Sequence, residues 1–216
     1  MRSASNAKRM ITTDKMKISI RDANINDLKR IVEIHINAFP RFFLTMLGGK
    51  FLKEYYTLVL KYPSRIFLTA EYNELIVGFV AGFLKPYKFY RQLRRNKIRL
   101  GLAITKGLTK EPKLGFRIFL NYKRMARACR EKRNNTAELA SIAVEPTFEG
   151  QGIGKLLVKG FLSIAAQNGS DQVILTTDAK NNDMVNKFYV SLGFRLNRSF
   201  IADYSRIMNE YIFYLK

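Results

Sequence analysis

The run Ala137-Glu-Leu-Ala-Ser-Ile-Ala-Val144 passes at once into Glu-Pro-Thr-Phe-Glu-Gly-Gln-Gly-Ile-Gly-Lys155, and the apolar stretch 156–166 (LLVKGFLSIAA) follows without a break. The first run reads as a buried strand and the last as a helix. Between them, glycines at alternate positions predict a tight turn whose main chain lies open to close approach. A strand that hands over to a helix in so few residues commits the chain to layers, with the helix lying back across a sheet. The glycine spacing is not a dinucleotide fingerprint, because Lys155 stands where G-x-G-x-x-G needs its third glycine; starting from Gly152, Leu157 stands there. Nor is it a P-loop, which needs glycine at Glu149 and Ser or Thr at Leu156. What remains is a helix N-terminus whose first amides lack partners and carry partial positive charge, a natural seat for a pyrophosphate. Taken alone, the turn reads equally well as a plain connection that binds nothing.

The rest of the chain repeats the alternation of strands and helices. MKISIRDA predicts a short strand, and NINDLKRIVEIHINAF an amphipathic helix with Ile25, Leu28, Val32 and His35 on one stripe. FLTMLGGKFLKEYYTLVLKY predicts a second helix ending at Pro63, and RIFLTAEYNELIVGFVAGFL a hairpin turning at Tyr72-Asn73-Glu74. After the glycine turn come a helix to about Gln167, the strand QVILTT, the helix NNDMVNKFYVSL, and FRLNRSFI and NEYIFYLK as closing strands. This order predicts helices packed on a mixed sheet, the α/β class.

A second motif accompanies the glycine turn. In NNDMVNKFYVSLGF, Asn182, Val185 and Tyr189 share one helical face over two turns, and Gly193 is suited to end the helix before Phe194 begins a strand. Strand, P-x-x-x-G-x-G-I-G-K, helix, strand and N-x-x-V-x-x-x-Y-x-x-x-G-F, in that order, resemble the GNAT superfamily of acyl-CoA-dependent N-acetyltransferases. The likeness is close from Thr136 to about Phe194 and looser before Lys85. It implies a GNAT-like mixed sheet that splays after the strand ending at Val144, and acetyl-CoA as co-substrate. By position, it implies that Ile142, Ala143 and Val144 offer main-chain hydrogen bonds to the pantetheine arm and that Gln151, Gly152, Ile153, Gly154 and Lys155 hold the pyrophosphate. Asn182 would hydrogen-bond the arm, and Tyr189 would face the thioester sulfur. Glu149 departs from the family, which has Gln or Arg there, and is expected to point away from an anion.

An amine attacking a thioester needs three kinds of help. A main-chain N–H near Val144 would steady the oxygen as it becomes negative. The departing thiolate needs an acid, for which Tyr189 is the candidate, with a core aromatic as the bland alternative. The ammonium must lose a proton, and Glu138, on the strand leading to the gap, is the candidate base, although a solvent-facing residue at a strand start fits equally well. His35, the single histidine, sits on an apolar stripe and reads first as a packed structural residue.

Composition supplies the remaining expectations. One Cys and one His cannot build an ordinary zinc site, so no metal is expected. The lone cysteine and the lack of an apolar core in the leader point to the cytoplasm. Residues 1–15 read as a loose leader and 16–216 as one domain carrying a basic helical insertion at 84–134. Net charge is +21, and 85–133 alone holds 17 basic residues against Glu111 and Glu131. Within it Leu114, Ile118, Tyr122, Met125 and Cys129 form a helical stripe, so two cationic amphipathic helices are expected. Such a segment suits an acidic amine acceptor, for example a nucleotide-linked amino sugar; the competing uses are an anionic membrane surface and, in a non-catalytic module of the same fold, nucleic acid. A homo-oligomer through the same helices is a further option, and a stable nucleic-acid partner is not the expected outcome.

Overall fold

The computed structural model describes residues 9–10, 17–40, 42–104, 135–203 and 206–215. In chain order the described elements are β1 (Arg9–Met10), β2 (Ile18–Asp22), α1 (Leu28–Ala38), α2 (Phe43–Met46), α3 (Gly49–Leu60), β3 (Arg65–Tyr72), β4 (Leu75–Phe83), α4 (Pro86–Arg95) and α5 (Lys97–Ala103). They continue with β5 (Thr136–Val144), α6 (Ile153–Gln167), β6 (Gln172–Asp178), α7 (Asp183–Ser191), β7 (Arg195–Asp203) and β8 (Arg206–Tyr214). The strands make one mixed sheet in the order β1-β2-β3-β4-β5-β6-β8-β7, all neighbours antiparallel except β5 and β6. This is the α/β class that the alternation of elements predicts.

Local chemistry explains most of the boundaries. Asn24 and Asp27 cap the first helical turn reciprocally: Asn24 Oδ1 accepts from Asn26 N, and Asp27 Oδ2 accepts from Asn24 N. Because Ile25 lies in that 3-10 turn, ahead of α1, it is 59% exposed and does not join the predicted stripe. The second predicted helix is two, broken where Gly48 takes φ +97°. Asn73 and Glu74 both hold positive φ, giving the two-residue turn that matches hairpin twist. Arg9–Met10, within the leader, pairs with β2. The stripe Leu114–Cys129 lies outside the described residues, whereas the first part of the basic segment forms α4 and α5, separated at Asn96.

β4 is buried on both faces from Ile76 to Phe83 and divides the core in two. One side packs α1, α3 and α4 through side chains such as Ile34, Leu52, Tyr56 and Phe89; the other packs α6 through Leu157, Val158 and Phe161. β4 and β5 approach so closely that a Cβ on Gly82 would lie 2.0 Å from Glu138 O. Opposite that point the register slips, Ala81 facing Ser141 and Gly82 facing Leu139, so Ala140 is an extra residue in β5.

Candidate active site

β5 and β6 are parallel neighbours for three residue pairs only, Thr136–Gln172, Ala137–Val173 and Glu138–Ile174. From Leu139 onward β5 keeps β4 alone as a partner among the described residues. A gap therefore opens in the middle of the sheet, and strand alternation decides what it offers. Glu145 N donates to Val77 O on the β4 side, so the main-chain groups of Val144 and Ile142 face the gap. Those of Ala143 are turned to β4, which distinguishes it from its two neighbours.

At the end of the gap the glycine turn delivers α6. Gly152 is its N-cap with φ +79°, a left-handed conformation that costs a residue with a Cβ, and no side chain caps the helix. The first helical bond runs from Leu156 N to Gly152 O, so the amides of Ile153, Gly154 and Lys155 have no helical acceptor. Nothing lies within 4 Å of where a Cβ on Gly150 or Gly152 would stand. Gln151 and Lys155 are exposed beside this opening, as is Glu149. Open amides, unfilled space and a cationic side chain together suit a pyrophosphate.

α7 borders the gap on the other side. Asn182 turns its amide nitrogen back to Thr177 Oγ1 (2.8 Å) and Asp178 O (3.1 Å), tying the helix start to the end of β6. Asn186, which sequence reasoning passed over, anchors the next turn: it donates to Asp178 O and accepts from Asn209 Nδ2 and the Tyr211 hydroxyl. Tyr189 is 6% exposed, with its ring among Phe188, Phe194 and Tyr211. Burial pushes its phenol well above the ordinary range, so it carries its proton at neutral pH. The hydroxyl makes no hydrogen bond among the described residues. Gly154 lies against the Phe188 ring, 3.4 Å from a would-be Cβ, and so brings α6 and α7 together.

Glu138 stands at the last paired position before the gap, its side chain on the α3–α4 side, where Oε1 accepts from the Tyr90 hydroxyl at 2.5 Å. On the same side Glu145 is held by Arg30 Nη2 (2.8 Å) and Asn37 Nδ2 (3.0 Å) of α1. Arg206 clamps Asp178 through two nitrogens, at 2.6 and 2.9 Å, and lies over the Phe42 ring. Sequence periodicity signals none of these three groupings, since each joins residues distant along the chain. His35 is 3% exposed, bonds the Tyr56 hydroxyl at 2.7 Å through Nδ1 and is lowered to about 4 by burial. It belongs to the packed interior.

A separate hollow of about 570 Å³ between α3 and α5, rimmed by Lys50, Lys53, Arg95 and Arg99, shares no residue with the gap. Among the described residues, no group of three or more His, Cys, Asp or Glu could hold a metal ion, and no helix is long and apolar enough to cross a membrane.

The sheet parts beside a capless helix N-terminus, and comparison with known proteins says which class of protein has this fold. The model of the acetyltransferase (GNAT) family matches residues 28–194, so the chain belongs to that family and is an acetyltransferase of it. Solved structures share the fold at low identity. A GNAT-family protein from Desulfovibrio desulfuricans superposes with TM-score 0.62 at 14% identity, over 92% of this chain and 99% of that one. PaiA N-acetyltransferase from Thermoplasma acidophilum, solved in complex with coenzyme A, gives 0.56 at 17% identity over 90% and 98%. YncA from Salmonella typhimurium, solved with its cofactor acetyl-CoA, gives 0.57 at 14% over 92% and 94%. No curated protein matches the sequence.

Proposed function

We propose that the chain transfers the acetyl group of acetyl-CoA to the primary amine of an acidic small molecule, of which a nucleotide-linked amino sugar is the type. The observation that carries this reading is the parting of β5 from β6 immediately after Glu138, with the open N-terminus of α6 at the far end. Relatives of the same fold were solved with coenzyme A and with acetyl-CoA.

In this reading the amides of Gln151 to Lys155 hold the pyrophosphate, while Ile142 and Val144 offer main-chain groups along the gap and Asn182 offers its free carbonyl oxygen. The N–H of Val144 steadies the thioester oxygen as it gains charge. Glu138 takes the proton of the attacking ammonium, whose affinity for it resembles that of Lys, about 10.4. Tyr189 gives its proton to the departing thiolate. A buried phenol is a weak acid, but burial raises a thiolate formed beside it in the same direction, which keeps the transfer balanced.

The acidic character of the acceptor is supported by α4 and α5. Residues 85–103 carry Lys85, Lys88, Arg91, Arg94, Arg95, Lys97 and Arg99 and no carboxylate. Phosphate is the group that such a surface attracts best.

The test is a thermal-shift comparison followed by an acceptor screen. Coenzyme A should stabilise the chain, by roughly 2.7 kcal/mol at a hundred times its dissociation constant, and short RNA or DNA should not. Phosphorylated or nucleotide-linked amines should then release free thiol from acetyl-CoA faster than neutral ones. Stabilisation by nucleic acid alone would replace this reading with that of a binding module.

A further inference from the structure

We propose that Tyr90, in the helix that opens the basic segment, is a positioning residue for Glu138. The proposal rests on the reading of Glu138 as the base. Tyr90 donates its hydroxyl to Glu138 Oε1 at 2.5 Å, the length of a charge-assisted bond. A bond of that kind fixes the plane of the carboxylate and favours its ionised form, and an amine-activating base needs both.

The placement of α4 shows that the contact is built into the fold. Pro86 starts the helix, and the Tyr62 hydroxyl holds the preceding Lys85 O at 2.8 Å. Phe89 is fully buried and stacks on Phe83 with ring centroids 3.7 Å apart. Phe83 is the residue that faces Glu138 across the β4–β5 ladder. Adjacent residues of α4 thus grip both members of one cross-strand pair, Phe89 taking the ring and Tyr90 the carboxylate.

Among the described residues packed around Glu138, the Tyr90 hydroxyl donates to its Oε1. β4 presents Phe83 and β6 presents Ile174, neither of which titrates. From α3, Tyr55 is buried, its phenol pushed up by desolvation first and by the charge of Glu138 second. α1 commits His35 to Tyr56, and Arg30 to Glu145. On α4 itself Arg94, one turn beyond Tyr90, adds a positive charge. The segment that carries the acceptor-attracting charge is therefore also the segment that sets the base. Displacing α4 would cost turnover as well as acceptor affinity.

The experiment uses the full chain with Glu side chains carboxyl-labelled with ¹³C. The Glu138 signal is assigned by its absence in Glu138→Gln and is titrated in the wild type and in Tyr90→Phe, with no ligand present. The expected result is a titration midpoint about one pH unit higher in Tyr90→Phe, the size that follows from losing one hydrogen bond to a charged group. The acid limb of kcat/KM, measured with acetyl-CoA and the best acceptor of the screen above, should move by the same amount. A purely structural role for Tyr90 would lower turnover evenly across pH. Should Tyr90→Phe fold poorly, the wild type supplies a second reading: a slowly exchanging hydroxyl proton on Tyr90 that Glu138→Gln abolishes. An unmoved midpoint with Glu138→Gln inactive, or no such proton, overturns this inference alone. Full turnover in Glu138→Gln overturns the base reading and this inference with it.

Discussion

Replacing Gly82 with Ala tests whether the close approach of β4 to β5 sets the gap. The added methyl would stand 2.0 Å from Glu138 O and 2.7 Å from two carbons of the Phe161 ring. The carbonyl is main chain in the ladder and Phe161 is fully buried, so neither yields without moving β5 or α6. Overpacking of this kind costs about 3 kcal/mol. In a chain of this size each kcal/mol lowers Tm by about 2–4 °C, so a fall of roughly 6–12 °C is expected in scanning calorimetry. Gly78→Ala is the intermediate case, with Ala143 O at 3.0 Å and the Leu157 side chain at 3.2 Å, and should cost about 1 kcal/mol. Gly101→Ala, with nothing within 4 Å, should be neutral or stabilise its helix by about 0.5–1 kcal/mol. The loss of stability should rank Gly82→Ala above Gly78→Ala, and Gly78→Ala above Gly101→Ala. Equal Tm for Gly82→Ala and Gly101→Ala would show that the two strands are not held together as described.

Tyr189→Phe should lower kcat by about a hundredfold while calorimetric affinity for coenzyme A stays within twofold, and unaltered turnover at every pH would remove Tyr189 from the acid role. Gly152→Val should weaken coenzyme A binding, because a branched side chain both strains the left-handed N-cap and fills the space over the open amides; equal affinity in titration calorimetry would assign the turn another task. Stability should fall as pH drops from about 6.5 to about 4, since His35 takes up its proton in the unfolded chain before the folded one. A gap of that size is worth about 3 kcal/mol, so urea unfolding of His35→Gln should lose less stability than wild type across this window. Arg30→Met leaves the largely buried Glu145 with Asn37 alone and should cost about 2 kcal/mol at neutral pH in the same assay.

The sequence exposed whatever is encoded locally. Gly152 needs its left-handed φ, Asn73-Glu74 needs its turn, and the spacing of Asn182 and Tyr189 places one at the N-cap of α7 and the other within it; each follows from a few neighbouring residues. Gly48 was equally readable, yet the apolar pattern on both sides of it reads as one helix, and only its φ of +97° separates α2 from α3. Long-range pairings were beyond that kind of reading. Tyr90 meets Glu138 across 48 residues of chain, and Arg30 meets Glu145 across 115. A tyrosine in a basic amphipathic stretch looks the same whether it faces solvent or a carboxylate. The role of Ala140 as an extra residue in β5 is likewise invisible in ASIAV, because a bulge is a property of the strand pair.

The most direct measurement is a crystal structure of the chain with coenzyme A. The diphosphate is expected against the amides of residues 151–155, with the pantetheine arm in the gap beside Ile142 and Val144 and the sulfur within reach of the Tyr189 hydroxyl. Density for the ligand elsewhere, for instance in the cation-rimmed hollow between α3 and α5, with the gap left empty, would contradict this placement.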